Sequence, residues 1–163
     1  CGSMTRQMWP TTESKDGMMR VFIAGVMQAS LHGKGIVDQA YRNAIGEALL
    51  EKWPELDVID PLVLHPNSVE YDDAAARETL FALVTLASSC DLVVAYVPQA
   101  SMGTALEMNA AYEKGVPVIA ISPMRENWVV RALSARVFPD LPAFVAFLAS
   151  LDRPSQLIDT SLS

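Results

Sequence analysis

The sequence has 163 residues, of which 51% are hydrophobic and 19% are charged, and its formal net charge is −7. One domain of this length buries most of the surface of its unfolded chain. The acidic balance argues against a surface for a nucleic acid polymer or an anionic membrane, because both need basic patches. No apolar run approaches the roughly 20 residues of a membrane-spanning helix. With two cysteines and no signal peptide, we expect a reduced, cytoplasmic protein.

The chain divides into three predicted regions. Residues 1–19 are polar and predict a flexible N-terminal arm, whose first residues we interpret as a cloning remnant ahead of a natural Met4. A single α/β domain is expected over 20–151, and a loose, polar C-terminal tail over 152–163. No internal repeat or linker indicates a second domain.

Short apolar runs alternate with helical patterns along the domain. The runs predict strands over 20–26, 56–62, 91–97, 116–122 and 135–138. The helical patterns predict helices over 38–52, 74–90 and 105–115, a short one within 123–134, and a last one over 140–151. Continuous apolar strands are typical of a parallel sheet covered on both faces. The expected fold class is therefore α/β, a flavodoxin-like or Rossmann-like sandwich with a mostly parallel sheet of about five strands.

Several polar residues follow the predicted strands, where open α/β sheets bind ligands. Gly25, Gln28 and Ser30 follow the first strand, and Asp60 follows the second. The first loop has neither a dinucleotide fingerprint nor a Walker A pattern, which argues against an ordinary nucleotide-binding redox domain. Its backbone amides, Gln28 and Ser30 are candidates to hold a phosphate or a sugar, and a long polar turn is the alternative.

The stretch P-Q-A-S-M-G-T-A-L-E-M places Glu107 shortly after a strand-to-helix loop over 98–104. The Ser101 and Thr104 hydroxyls and the helix amides would surround a ligand there. A carboxylate in a partly dry pocket can attack an anomeric carbon. The alternative is an interaction with the helix dipole, worth about 0.3–1 kcal/mol. The residues alone leave these two interpretations equal.

Other kinds of site have less support. His32 and His65 are the only histidines, and no further ligands at suitable spacing indicate zinc, so we expect neither a metal nor a cofactor. Ser101 lacks the first glycine of a nucleophile elbow, which argues against a serine hydrolase. Asp72 and Asp73 precede a predicted helix and suit a capping role.

Four stretches together resemble the nucleoside 2-deoxyribosyltransferase family, which includes the 2′-deoxynucleoside 5′-monophosphate N-glycosidases and the CMP N-glycosidases. They are F-I-A-G-V-M-Q-A-S, Y-R-N-A-I, I-D-P, and the run D-L-V-V-A-Y-V-P-Q-A-S-M-G-T-A-L-E-M-N-A-A-Y-E-K-G-V-P-V-I-A-I. The resemblance spans residues 20–125, and S-M-G-T-A-L-E-M-N-A-A-Y is its most specific part.

The resemblance implies a flavodoxin-like enzyme that cleaves the N-glycosidic bond of a nucleoside or nucleotide. Glu107 matches the family nucleophile, which forms a glycosyl-enzyme that water or another base then resolves. Ser101 matches the serine that binds a 5′-phosphate, which favours a nucleotide and therefore hydrolysis. The family uses tyrosines and an aspartate to orient sugar and nucleophile, and Tyr41 and Asp60 are the candidates here. Gly103 and Thr104 complete the expected substrate-binding loop.

The resemblance also implies a homodimer or higher homo-oligomer whose neighbouring subunit closes the pocket. Asn127 and Arg125, after the fourth strand, are the candidates to reach across that interface. An ordinary surface loop is the alternative for this stretch.

The sequence departs from the family pattern at two places. Gln28 stands where an arginine is expected, and 83–85 read Leu-Val-Thr where the family has an aspartate. Either Glu78, Asp72 or Asp73 supplies the acid that contacts the base, or the base is handled differently. These departures support an alternative function, a non-catalytic nucleotide-binding or sensor protein that keeps the fold and the pocket.

Overall fold

The structure is a computed structural model that describes residues 17–26 and 38–159. Five parallel strands form one sheet in the order β2-β1-β3-β4-β5. Their bounds are β1 Arg20–Gly25, β2 Asp57–Ile59, β3 Leu92–Tyr96, β4 Val118–Ile121 and β5 Arg136–Phe138. The predicted α/β class, the parallel sheet and its five strands are confirmed. This strand order is the flavodoxin-like one.

Helices cover both faces of the sheet. Their bounds are α1 Ala40–Lys52, α2 Pro61–Leu64, α3 Asp73–Ala87, α4 Met102–Glu113, α5 Trp128–Leu133 and α6 Leu141–Ala149. Two short 3-10 helices are also present, Ser68–Glu70 and Pro154–Leu157. Among the described residues, no helix combines the length and the apolar character needed to cross a membrane.

The alternation of side chains along the strands creates two cores. Val21 and Ile23 point to the face covered by α1 and α6, whereas Phe22 and Ala24 belong to the core beneath α3 and α4. Cys90 is buried in this second core, as expected of a small apolar residue. The sheet is therefore buried on both faces, by α1 and α6 on one side and by α3 and α4 on the other.

Capping residues set two of the element boundaries that differ from the prediction. Predicted strand 56–62 is shorter, since the Asp60 carboxylate accepts a hydrogen bond from Leu62 N (2.9 Å) and caps α2, which begins at Pro61. The helix predicted over 105–115 begins earlier, at Met102, because Ser101 caps it. Both caps lie at the carboxyl ends of strands.

The expectation of a loose tail from Asp152 is wrong for the part that the structure describes. Residues Pro154–Leu157 form a 3-10 helix, and Leu157 is buried in the core beside α1 and α6. The Asp159 carbonyl accepts a hydrogen bond from Arg136 Nη2 at 2.6 Å. Two apolar residues in an otherwise polar segment, Leu157 and Ile158, are enough to fix it against the domain.

Candidate active site

The sheet topology creates a crevice between β1 and β3. The chain leaves β1 toward β2 and leaves β3 toward β4, so the connections diverge at the carboxyl ends of these neighbouring strands. This is the topological switch point at which open α/β sheets bind ligands. Helix α1 follows β1 and helix α4 follows β3, so their first turns approach the crevice.

Glu107 lies in the second turn of α4 and is only 8% exposed. Burial raises the pKa of its carboxyl from an ordinary 4.5 to about 8, and the positive charge of Arg42 opposes this rise. Within 17–26 and 38–159, no side chain or amide donates a hydrogen bond to this carboxylate. Glu107 is therefore a desolvated acid that holds its proton more tightly than an exposed glutamate.

Arg42 joins the ends of two strands to the start of α1. It is 2% exposed, and its Nη1 donates to the Ile23 carbonyl (3.0 Å) and to Asp60 Oδ1 (3.2 Å). Its Nη2 donates to the Gly25 carbonyl (3.1 Å), and its Nε donates to Gln39 Oε1 (2.7 Å). A guanidinium suits this arrangement because its donors form a rigid fork. The buried cation thus holds Asp60 in place beside the site.

Tyr41 forms the neighbouring wall of the site. Its hydroxyl donates to the Val26 carbonyl (3.1 Å), and its ring stacks on Tyr96 with centroids 4.3 Å apart. Gly25 is required beneath it, because a Cβ at that position would overlap the Tyr41 hydroxyl. Burial raises the pKa of Tyr41 above its ordinary value, so the hydroxyl keeps its proton.

Two hydroxyl groups, those of Ser101 and Thr104, form hydrogen bonds at the first turn of α4. Ser101 Oγ accepts from Thr104 N (3.4 Å) and from Thr104 Oγ1 (3.0 Å), which makes Ser101 the N-cap. Thr104 is buried, whereas Ser101 is half-buried. A Cβ built on Gly103 would meet no described atom within 4 Å. The helix start therefore offers amides and a hydroxyl beside open space.

Asn127 lines a cavity of about 90 Å³ together with Ser101, Met108 and Val130. Its Oδ1 accepts from Val129 N (2.9 Å) and Val130 N (3.3 Å), so it caps α5. The side chain itself is exposed. Asn127 and Ser101 therefore line the same cavity, and the Asn127 Oδ1 atom is already used as the N-cap of α5.

Among known proteins, only solved structures gave a match to this chain. No protein-family model matches the chain, and no curated protein matches it. The 2-deoxyribosyltransferase of the psychrotolerant bacterium Bacillus psychrosaccharolyticus superposes with a TM-score of 0.60 at 17% identity, over 82% of this chain and 92% of that one. A conserved protein from Enterococcus faecalis V583 superposes with a TM-score of 0.50 at 20% identity, over 86% of this chain and 95% of that one. The chain has the fold of a 2-deoxyribosyltransferase.

The structural likeness agrees with the fold that the sequence resemblance implies. On this 2-deoxyribosyltransferase fold, Arg42 links Gly25 and Asp60, and its charge acts on both Tyr41 and Glu107. These four predicted residues therefore lie around one buried cation.

The remaining predicted site residues lie elsewhere in the chain. Ser101, Gly103 and Thr104 form the start of α4, ahead of Glu107 on the same helix. Gln28 and Ser30 fall outside the described residues.

Two residues of this site were missed from the sequence, Arg42 and Tyr96. The apolar stripe of α1 runs through Tyr41, Ile45 and Leu49, and Arg42 precedes Ile45 by three residues, so it shares the buried face. A charged residue on an apolar stripe was the available signal. Tyr96 is the last residue of β3, and no sequence pattern around it indicated a role in the site.

Proposed function

We propose that the protein cleaves the N-glycosidic bond of a nucleoside or a nucleoside 5′-monophosphate, with Glu107 as the nucleophile. The burial of the Glu107 carboxyl at the carboxyl end of the sheet, beside Arg42, is the observation that carries this proposal. An acid kept for the helix dipole gains about 0.3–1 kcal/mol and needs no burial. Burial instead opposes ionisation of the Glu107 carboxyl, and pKa values perturbed in this way cluster at functional sites.

The proposed reaction proceeds with retention. The ionised Glu107 attacks C1′, the base leaves with the electron pair of the C1′–N bond, and a glycosyl ester forms. Water then releases the sugar, which makes the protein a hydrolase, or a second base accepts it, which makes it a transferase. We expect Asp60, held by Arg42, to accept a hydrogen bond from a sugar hydroxyl, and the Tyr41 hydroxyl, whose proton goes to the Val26 carbonyl, to accept another.

We infer that the preferred substrate carries a 5′-phosphate, held by Ser101 and the first amides of α4. Open space beside Gly103 supports this, since helix starts are suited to anions. Gln28, Ser30 and Thr104 remain further candidates. Hydrolysis is the preferred outcome, because the nucleotide branches of the family that the sequence resembles are hydrolases.

Ser101→Ala tests the phosphate assignment. The variant loses an N-cap, which costs about 1 kcal/mol of stability. Asp140→Ala is a matched control, because Asp140 caps α6 by accepting from Ala143 N at 2.8 Å. We expect a raised KM for the 5′-monophosphate, relative to the matching nucleoside, in Ser101→Ala alone. An equal change in both variants would assign Ser101 to the cap only.

We also propose a homo-oligomer. Large apolar side chains are exposed on three consecutive helices, α3, α4 and α5, of which α4 packs against both others: Phe81 at 62%, Met102 at 86%, Leu106 at 47% and Trp128 at 84%. Such side chains are typical of a surface that another chain covers. Light scattering on the purified protein tests this, and a monomer at micromolar concentration would contradict it. Asn127, next to Trp128, would then be positioned at the interface.

The deciding experiment is a base-release assay by chromatography on wild type and Glu107→Ala. The panel contains ribo- and deoxynucleosides and their 5′-monophosphates, with and without a second free base. Free base from wild type alone supports the glycosidase, and a new nucleoside in the two-base reactions identifies a transferase. Nucleotide binding without any base release would refute the enzyme and favour the alternative, a nucleotide-binding sensor.

A further inference from the structure

A cavity of about 170 Å³ lies between α3 and the segment that connects it to β2. Its walls combine apolar side chains with a histidine and a tyrosine: Pro61, Val69, Leu80, Leu83, His65 and Tyr71. An apolar cavity of about 150 Å³ can hold a benzene ring. The cavity therefore has room for a planar ring of similar size.

This cavity adjoins the candidate active site. Pro61 directly follows Asp60, whose carboxylate lies 3.2 Å from Arg42 Nη1. Helix α3, which forms one wall, packs along α4, the helix that carries Glu107. The cavity therefore borders the Asp60–Pro61 corner of the candidate site, and this is the side toward which we expect a sugar bound at Glu107 to extend its base.

The three acids considered for contacting the base are not placed to do so. Asp72, Asp73 and Glu78 are all exposed, and none of them lines the cavity. Asp72 Oδ1 instead accepts from Ala75 N (2.8 Å) and caps α3. Leu83 faces the cavity, so the family aspartate is replaced there by an apolar wall.

His65 is held in this cavity by Tyr71. The distance from His65 Nδ1 to the Tyr71 hydroxyl is 3.0 Å, and the two rings are perpendicular, at 90°. The contact with Tyr71 uses Nδ1, so Nε2 remains for another partner. No residue in the described part of the chain hydrogen-bonds Nε2. An imidazole oriented through one nitrogen is suited to transfer a proton through the other.

We propose that the cavity receives the base of the substrate and that His65 protonates this base as it leaves. The inference rests on the proposed function. As Glu107 forms its bond to C1′, the C1′–N bond breaks and its electron pair moves to the base. The imidazolium passes its Nε2 proton to a ring nitrogen or an exocyclic oxygen of the base. Water then attacks C1′ and frees the Glu107 carboxylate, and the neutral imidazole takes the proton that water loses.

His65→Gln tests this assignment with a series of nucleotides. The series keeps the preferred sugar and ring system and adds increasingly electron-withdrawing substituents to the base, so that the base needs less protonation to leave. We expect the unsubstituted substrate to lose about 10²–10⁴-fold in kcat. The loss should shrink steadily along the series. Tyr71→Phe, which keeps the ring and removes the hydroxyl, should show a smaller loss with the same trend.

Glu78→Gln is the matched control, since it removes an exposed acid from the same helix as Leu83 and should keep the wild-type dependence on the leaving base. The trend is measured within one variant, so a reduced fraction of folded protein does not change it. An equal loss across the series, or no loss, overturns the role of His65 while base release by wild type still supports the proposed function. No base release by wild type from any nucleotide overturns both.

Discussion

Replacement of Glu107 by glutamine should stabilise the protein increasingly as the pH rises. Burial holds the folded-state pKa of this carboxyl at about 8, whereas the ordinary value is 4.5. A raised pKa means that the folded state binds more protons than the unfolded state between these values, so this group makes stability fall as pH rises through that window. Each tenfold change in proton affinity is worth about 1.4 kcal/mol, so the ionised carboxylate costs about 5 kcal/mol once the pH exceeds 8.

The glutamine variant removes this cost while keeping the size and shape of the side chain. The difference in free energy of unfolding between the variant and wild type should grow by about 3–4 kcal/mol from pH 5 to pH 8 and then level off. Urea titrations at several pH values measure it, provided that the m-values of the two proteins agree.

The matched control is Glu113→Gln, which removes an exposed carboxylate at the end of the same helix. Its pH dependence of stability should follow that of wild type. A stability difference between Glu107→Gln and wild type that does not change with pH, or that falls as pH rises, would refute the argument that burial governs this carboxyl.

Three further substitutions test the packing of α1 and the surroundings of Glu107. Gly25→Ala should cost about 1–3 kcal/mol in urea titrations, because the new Cβ overlaps Tyr41. Gly46→Ala, in the interior of α1 with neighbours at 3.8 and 3.9 Å, should instead gain about 0.5–1 kcal/mol. Arg42→Gln should cost about 3–5 kcal/mol by breaking a buried ion pair. It should also move the acid limb of kcat/KM to higher pH, because the charge that opposes the pKa rise of Glu107 is gone.

The sheet was predictable because its strands are encoded locally. β1, β3 and β4 are continuous apolar runs, and their boundaries in the structure lie within two residues of the predicted ones. Glu107 and Ser101 were predictable as a pair, since the loop between a buried strand and a helix places them at a known ligand-binding edge. Local pattern therefore gave the fold and the position of the candidate nucleophile.

The partners of these residues were not predictable in the same way. Arg42 acquires its role from carbonyls of β1 and from Asp60, and these groups meet only when the sheet forms. His65 lies in a segment without periodicity, and only the packing of Tyr71 and α3 around it creates a cavity. Contacts between segments distant in the chain depend on tertiary structure, which composition and spacing do not encode.

The position of Glu107 is hard to explain by folding alone. Thr104, Met108 and Ala111 fill the rest of the buried face of α4 with groups that suit a protein interior. A carboxyl on this face costs free energy whenever it ionises, and Arg42 offsets only part of that cost. A neutral side chain of the same size would be more stable there. Local rules of stability are broken in this way mainly at functional sites, and the ionised form of Glu107 is the form that a glycosyl transfer requires.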